Sequence, residues 1–267
     1  MESTTRQLTQ SNYHSLESDR DYFSVSQFKN MVECSAREIA RLNEEYVRSE
    51  SSALVIGSYT HAAFESDEVF QQFQKDYSDT IFNSKGKKYA DFVTADSMIE
   101  SVRNDPFSMF AMDGEMEQIY TAELFGAKWK IKVDSINHNR KTFTDLKTTQ
   151  SLYKRYWSDK YGKFVSFIEA WDYVLQMAIY RKVLEQVTGS LYNPFIVAVT
   201  KESPPDKAVL HFDDSRFSFE IETVEFLMPR FIGMKAGREQ PVRCEKCDYC
   251  RGSKKIKDTI ELAELMG

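Results

Sequence analysis

The chain has 267 residues, 42% of them hydrophobic and 13% aromatic, and a formal net charge of −6. That apolar content is ample for a buried core, and no apolar stretch approaches the length of a bilayer span, which excludes an integral helical membrane protein. The acidic balance excludes a chain that coats nucleic acid through overall charge, so any basic surface must be local.

No Pro-, Gly- or Ser-rich linker, internal repeat or low-complexity tract divides the sequence, which predicts one domain over residues 1–267. Residues 1–21 are polar and are expected to be flexible. Ser24 caps a helix expected over 26–43, which carries Cys34. The apolar run Ala53-Leu54-Val55-Ile56 leads into Gly57-Ser58-Tyr59-Thr60-His61, which opens a helix through Phe64, and another helix is expected over 90–104. Strands are predicted at 118–125, 128–136 and 141–148, the last two joined by the turn chemistry of Asn137-His138-Asn139-Arg140. A long amphipathic helix over 164–187 and a strand at 195–200 follow. Pro204-Pro205-Asp206 marks a turn, and a strand at 211–212 or 217–221 leads to a helix over 223–235. The fold class expected is α/β, a central mixed β-sheet flanked by helices.

Two short segments carry the chemistry. In the strand from Lys128 to Asp134, Trp129, Ile131 and Val133 share one face and the lysines share the other with Asp134. In Asp145-Leu146-Lys147-Thr148-Thr149, period two places Asp145 and Lys147 together, with Leu146 turned to the core. Asp134 and Asp145 on adjacent antiparallel strands can share Mg²⁺ or Mn²⁺, with the Leu146 carbonyl as a further oxygen ligand. Lys147 then orients the attacking water or stabilises charge developing on a phosphodiester. The ordinary alternative is a solvated Asp/Lys pair on a strand.

Gly57-x-x-x-His61 before the carboxylates and Gln176-x-x-x-Tyr180 after them, in that order, resemble the RecB-type branch of the PD-(D/E)XK nuclease superfamily. Glu123-Leu124-Phe125-Gly126, Asp145-Leu146-Lys147-Thr148-Thr149 and the C-terminal Cys247-Asp248-Tyr249-Cys250-Arg251 resemble the phage and prophage RecE-like exonucleases within it. The resemblance implies a restriction-endonuclease-like core in which His61 touches the metal and Asp134 and Asp145 are its main ligands. Lys147 is then the catalytic lysine, and Gln176 and Tyr180 line the DNA side. It also implies an extra acidic ligand on the preceding strand, for which Glu117 is the candidate and Glu115 and Glu123 the competitors. Val133 stands where the family has its proline, and Asp145 where glutamate is more usual. For His61, Gln176 and Tyr180 the ordinary alternatives are a backbone-satisfied histidine near a helix start and two helix-surface residues.

The four cysteines are Cys34 and the run Cys244-x-x-Cys247-x-x-Cys250. Three thiols at that spacing can wrap one metal, with Cys34 left to supply the fourth ligand. One N-terminal and three C-terminal cysteines resemble the iron–sulfur staple of AddB-type and CRISPR-associated RecB-like nucleases, although that staple has a wider last gap. A [4Fe-4S] cluster is placed first by this resemblance, structural Zn²⁺ second, and disulfides last, since no signal peptide is recognised. Either metal centre would join residues 22–45 to 240–257.

Charge is unevenly spread. Residues 125–165 hold ten basic and three acidic side chains and residues 243–257 six and two, which leaves the remainder strongly acidic. This predicts a basic groove for a phosphate backbone, with Tyr153, Tyr156, Trp157 and Tyr161 placed to stack on unpaired bases or simply to pack the loop. By resemblance, the function expected is a Mg²⁺-dependent exonuclease that resects double-stranded DNA ends in phage or prophage recombination. A RecT-like single-strand annealing partner and a homo-oligomer belong to that expectation, as does a cytoplasmic location without membrane attachment. The alternatives are a RecB-like nuclease for single strands or CRISPR spacer processing, and a nonenzymatic DNA-binding protein with a cysteine-ligated metal.

Overall fold

The computed structural model describes residues 8–48, 52–256 and 258–263. In chain order the helices before the sheet are α1 (Leu16–Asp21), α2 (Val25–Leu42), α3 (Ser52–Glu65), α4 (Asp67–Asp76), α5 (Ser78–Ile81), α6 (Ala90–Arg103) and α7 (Pro106–Met112). Three strands follow, β1 (Glu115–Leu124), β2 (Ala127–Asn137) and β3 (Thr142–Thr149), and then a hairpin of β4 (Tyr156–Ser158) and β5 (Lys163–Val165). The chain continues through α8 (Phe167–Ala170), α9 (Tyr173–Thr188), β6 (Asn193–Thr200), β7 (Lys207–His211), α10 (Ser215–Lys235) and α11 (Asp248–Gly252).

Five strands form one mixed sheet in the order β1-β2-β3-β6-β7, in which only β3 and β6 run parallel. Leu124 and Ala127 pair across a two-residue turn in which Phe125 and Gly126 both take positive φ, 53° and 76°. That is the turn whose twist matches a hairpin, and glycine supplies its second position without strain. β2 and β3 pair antiparallel as expected, but only from Asn137↔Thr142 to Ser135↔Thr144. Beyond that point they diverge, and this opening is what the site occupies.

The sheet is covered on both faces. One face packs Trp129, Ile131, Phe143 and Ile196 against Phe28 and Met31 of α2, Met177 and Val183 of α9, and Met228 and Phe231 of α10. The other packs Leu146, Val197 and Val199 against Tyr59 of α3, Met98 of α6 and Met112 of α7. Residues 196–199 alternate between the two clusters, as strand geometry requires. Each fully buried large side chain contributes about 2–3 kcal/mol of transfer free energy. Polar positions on the second face are satisfied by α7: Ser135 Oγ donates to Met112 O at 2.7 Å and Thr144 Oγ1 to Ala111 O at 2.5 Å.

Several expectations are corrected. Residues 1–7 lie outside the described residues, but the polar segment that follows is packed where flexibility was expected: Tyr13 and Ser18 are buried and α1 is capped by Ser15. Lys130 draws it in. Its ammonium, 2% exposed, donates to Tyr13 O at 2.5 Å and to Ser18 Oγ and Asp19 Oδ1 at 2.6 Å.

The helix expected over 164–187 is broken. Residues 163–165 form β5, a capping box of Ser166 and Glu169 starts α8, and Asp172 at φ 53° separates it from α9. The alternative strand at 217–221 is instead part of α10. Residues 53–56 belong to α3 itself.

Candidate active site

Asp134 sits where β2 leaves β3. Its Oδ2 accepts the Leu146 N–H at 2.8 Å, an amide that a continued ladder would have given to the β2 backbone. On the opposite side of β2, the β1 register is interrupted between Met116↔Ser135 and Gln118↔Val133, because Glu117 takes φ 53°. That rotation leaves Glu117 buried, while Glu115 and Glu123 on the same strand are exposed. His61, one helical turn after Gly57 on α3, closes the group with Nδ1 3.2 Å from Asp134 Oδ2. Ligand atoms of His61, Glu117 and Asp134 lie within 4.8 Å of one another.

Asp145 is beside this group and differently held. Gln176 Nε2 donates to its Oδ1 at 2.6 Å, and the Lys147 ammonium lies against Oδ2. Lys147 also stands 4.8 Å from the centre of the Tyr173 ring, a cation–π contact. Tyr180, one turn beyond Gln176, is buried against Phe143. Tyr173, one turn before Gln176, was not singled out in the sequence; its i, i+3 spacing from Gln176 on an inward helix face is the signal that finds it.

Charge in this cleft is unevenly matched. Burial would raise the Asp134 carboxyl, but the His61 imidazole, the Lys147 ammonium and the Leu146 amide outweigh it and hold the group down to about 2. Asp145 moves the other way: burial and the neighbouring Asp134 charge push it up, and Lys147 only partly offsets them. Lys147 itself stays charged, since Asp145 and Asp134 together outweigh its burial. Glu117 is pushed up by burial and by Asp134, against the Lys132 ammonium that lies on it. Glu117 Oε2 and Asp145 Oδ2 are buried, and the Lys132 and Lys147 ammoniums lie against them. Buried carboxylates cost free energy unless cations meet them, and the two ammoniums do so here while His61 and Asp134 complete the donor group. One imidazole nitrogen and two or three carboxylates fit a hard or borderline divalent ion, so the residues suit the metal expected here.

Two cavities meet at Lys132, Lys147 and Tyr173. One, of about 780 Å³, is lined by Gly57, His61, Glu117, Asp134 and Leu146. The other, of about 1050 Å³, runs past Lys29, Arg41, Arg48 and Lys130 to Gln176 and Tyr180. Of the ten basic residues counted over 125–165, Lys130, Lys132 and Lys147 line these cavities. Lys130 is committed to Asp19, while Lys160 and Tyr161 close on the buried Glu220, so the groove is built differently from the expectation. Tyr153 and Trp157 are exposed on the segment around the β4–β5 hairpin and line neither cavity. Lys29 of α2, Arg48 and Lys201 supply basic side chains from outside the counted segment.

The four cysteines also converge, with Cys34, Cys244, Cys247 and Cys250 presenting sulfurs within 4.8 Å of one another. They are free thiols, without disulfides. Among the described residues no helix is long and apolar enough to cross a membrane.

The description "PDDEXK-like domain of unknown function (DUF3799)" belongs to the family model that matches residues 24–253. The crystal structure of a "putative exonuclease" from Eubacterium rectale superposes with a TM-score of 0.91 at 35% identity, over 97% of this chain and 98% of that one. A second solved structure, that of SSO0001, aligns over 76% of this chain and 95% of its own at 15% identity, with a TM-score of 0.31 too low to bear on fold or function. No curated protein matches the chain significantly.

Proposed function

This chain belongs to the DUF3799 family of PDDEXK-like domains and is a PD-(D/E)XK nuclease by fold and family; from that premise we propose that it is a Mg²⁺- or Mn²⁺-dependent exodeoxyribonuclease that resects double-stranded DNA ends. The observation that carries this reading is the convergence of His61, Glu117 and Asp134 beside an Asp145–Lys147 pair, which sets one imidazole and three buried or half-buried carboxylates in one cleft. His61, Glu117 and Asp134 would hold the ion, with Asp145 and the Leu146 carbonyl adjacent, and the ion supplies the Lewis acidity that phosphodiester hydrolysis needs. The exonuclease assignment is supported by the 35% identity to the Eubacterium rectale protein and its name.

The protein's own groups divide the work. Leu146 N–H and Gln176 fix the two aspartates, so neither has to reorganise when charge develops. Lys147, held charged between Asp145 and the Tyr173 ring, orients the attacking water or meets the growing charge on the phosphate. Lys29, Arg48, Lys132 and Lys201 line the path of the phosphate backbone through the joined cavities. The wider setting rests on the sequence resemblance: a single catalytic domain, phage or prophage recombination in a host cytoplasm, a RecT-like annealing partner and a homo-oligomer. In this reading the cysteine centre, iron–sulfur or zinc, is structural.

The test is digestion of linear and nicked-circular DNA with Mg²⁺ by wild type, Lys147→Ala and Asp145→Ala. Wild type should shorten linear duplex from its ends and spare the circle, and both variants should lose at least about a hundredfold in rate. Cutting of the circle would refute end resection, and equal digestion by all three proteins would refute the site.

A further inference from the structure

The sulfur positions discriminate between the two metal centres that a four-cysteine set can hold. Cys34 Sγ lies 3.6 Å from Cys250 Sγ and 3.8 Å from Cys247 Sγ, and Cys244 Sγ lies 4.0 Å from Cys250 Sγ. Four thiolates at about 2.3 Å from one tetrahedral ion stand about 3.8 Å apart. In a [4Fe-4S] cubane each thiolate binds a different iron, so an iron–iron edge is added to every sulfur–sulfur path and the separation grows to roughly 6 Å. A disulfide would bring two sulfurs to about 2.05 Å. The observed spacing matches the mononuclear centre and leaves no room for the cluster.

The surrounding backbone indicates a bound metal in place of packed thiols, and the sulfur spacing then selects which. Lys246 N and Cys247 N donate to Cys244 Sγ at 3.4 and 3.2 Å, Cys250 N to Cys247 Sγ at 3.4 Å and Arg37 N to Cys34 Sγ at 3.4 Å. Amides aimed at sulfur favour thiolates, which an ion binds and a packed thiol does not need. The Cys244-x-x-Cys247-x-x-Cys250 spacing by itself suits either centre, and it is the single turn α11 that returns Cys250 to the other sulfurs. Cys34 reaches them because α2 leaves helical geometry there, at φ −161° and ψ 95°, and the next turn is pinned by Ala36 N donating to Val242 O at 3.0 Å.

We propose that Cys34, Cys244, Cys247 and Cys250 form a mononuclear tetrahedral Zn²⁺ site, and that the iron–sulfur cluster suggested by the family resemblance is not what this chain carries. The site clamps the second half of α2 to the C-terminal segment. The first half of α2 contributes Lys29 and Asn30 to the wall of the larger cavity, so the clamp also steadies that wall. No cysteine lines either cavity at the carboxylates, which makes this inference independent of the nuclease reading.

Elemental analysis of the full chain, purified anaerobically without chelating resin, is the test. The expected result is one zinc per chain, no acid-labile sulfide and a colourless solution. Growth with cobalt should give the intense visible bands of a tetrahedral tetrathiolate Co²⁺ site. Asp134→Ala should leave the zinc content unchanged, and Cys244→His should retain about one zinc through a Cys₃His set. Brown protein with iron and sulfide in equal amounts overturns the proposal. So does wild-type protein that holds no metal while its four thiols react freely, whatever nuclease assays give.

Discussion

Glu115, Glu117 and Glu123 have the same parity along β1, and ideal alternation would turn all three to one side. Only Glu117 is buried, because its backbone is in the left-handed region opposite Asp134, at φ 53°. A non-glycine residue there is held by its surroundings, the usual circumstance of a functional position. Glu117→Gln should therefore weaken Mn²⁺ binding, read by calorimetry, by at least about tenfold, or roughly 1.4 kcal/mol. Glu115→Gln and Glu123→Gln should leave it unchanged. An undiminished affinity in the first variant would remove Glu117 from the ligand set. Asp134, Asp145 and Lys147 were legible in the sequence from type and spacing; choosing among the glutamates required a backbone torsion that no residue type announces.

At the level of elements, the site depends on how tightly β1 and β2 approach where their ladder is interrupted. Gly114 immediately precedes β1, and a Cβ there would stand 2.4 Å from Ile136 O and 2.6 Å from its carbonyl carbon. Those are backbone atoms and cannot step aside. Gly114→Ala should destabilise the fold by about 1–3 kcal/mol in urea unfolding and lower metal affinity with it. A variant within about 0.5 kcal/mol of wild type would show that the strands tolerate separation. The break between α8 and α9 illustrates the limit of periodicity. Ser166 and Glu169 spell a capping box in the sequence, but apolar spacing runs on through Asp172, and only its positive φ ends one helix and begins the next. That restart sets the phase of Tyr173, Gln176 and Tyr180 relative to Asp145.

Across the whole molecule, segments distant in sequence are tied by lysines that reach inward. Lys235, at the end of α10, donates to Asp19 O at 2.7 Å, Tyr22 O at 2.8 Å and Gln27 Oε1 at 3.1 Å, over the Phe23 ring. Burial, only partly offset by Asp19, lowers its pKa from 10.5 to about 8. Below about 8 both folded and unfolded chains hold the proton, and charging the buried amine is a constant cost. Between that value and 10.5 the unfolded chain keeps a proton the folded chain has released, so this group's contribution to stability rises with pH. From about pH 7 to 9, wild type should gain about 1 kcal/mol relative to Lys235→Met. A parallel pair of stability curves would show that the amine does not titrate there.

The sequence by itself determined the fold class, the antiparallel pair that carries Asp134 and Asp145, the Lys147 position and the four-cysteine set, because each of these rests on residue type and on the periods of helix and strand. Tertiary structure alone decided that Glu117 joins His61 and Asp134 and that Lys130 is spent on Asp19 instead of on a phosphate groove. It also decided how far apart the four sulfurs lie. Those outcomes turn on local torsions and on which distant segment reaches a buried charge first, and neither is encoded in the spacing of residues along the chain.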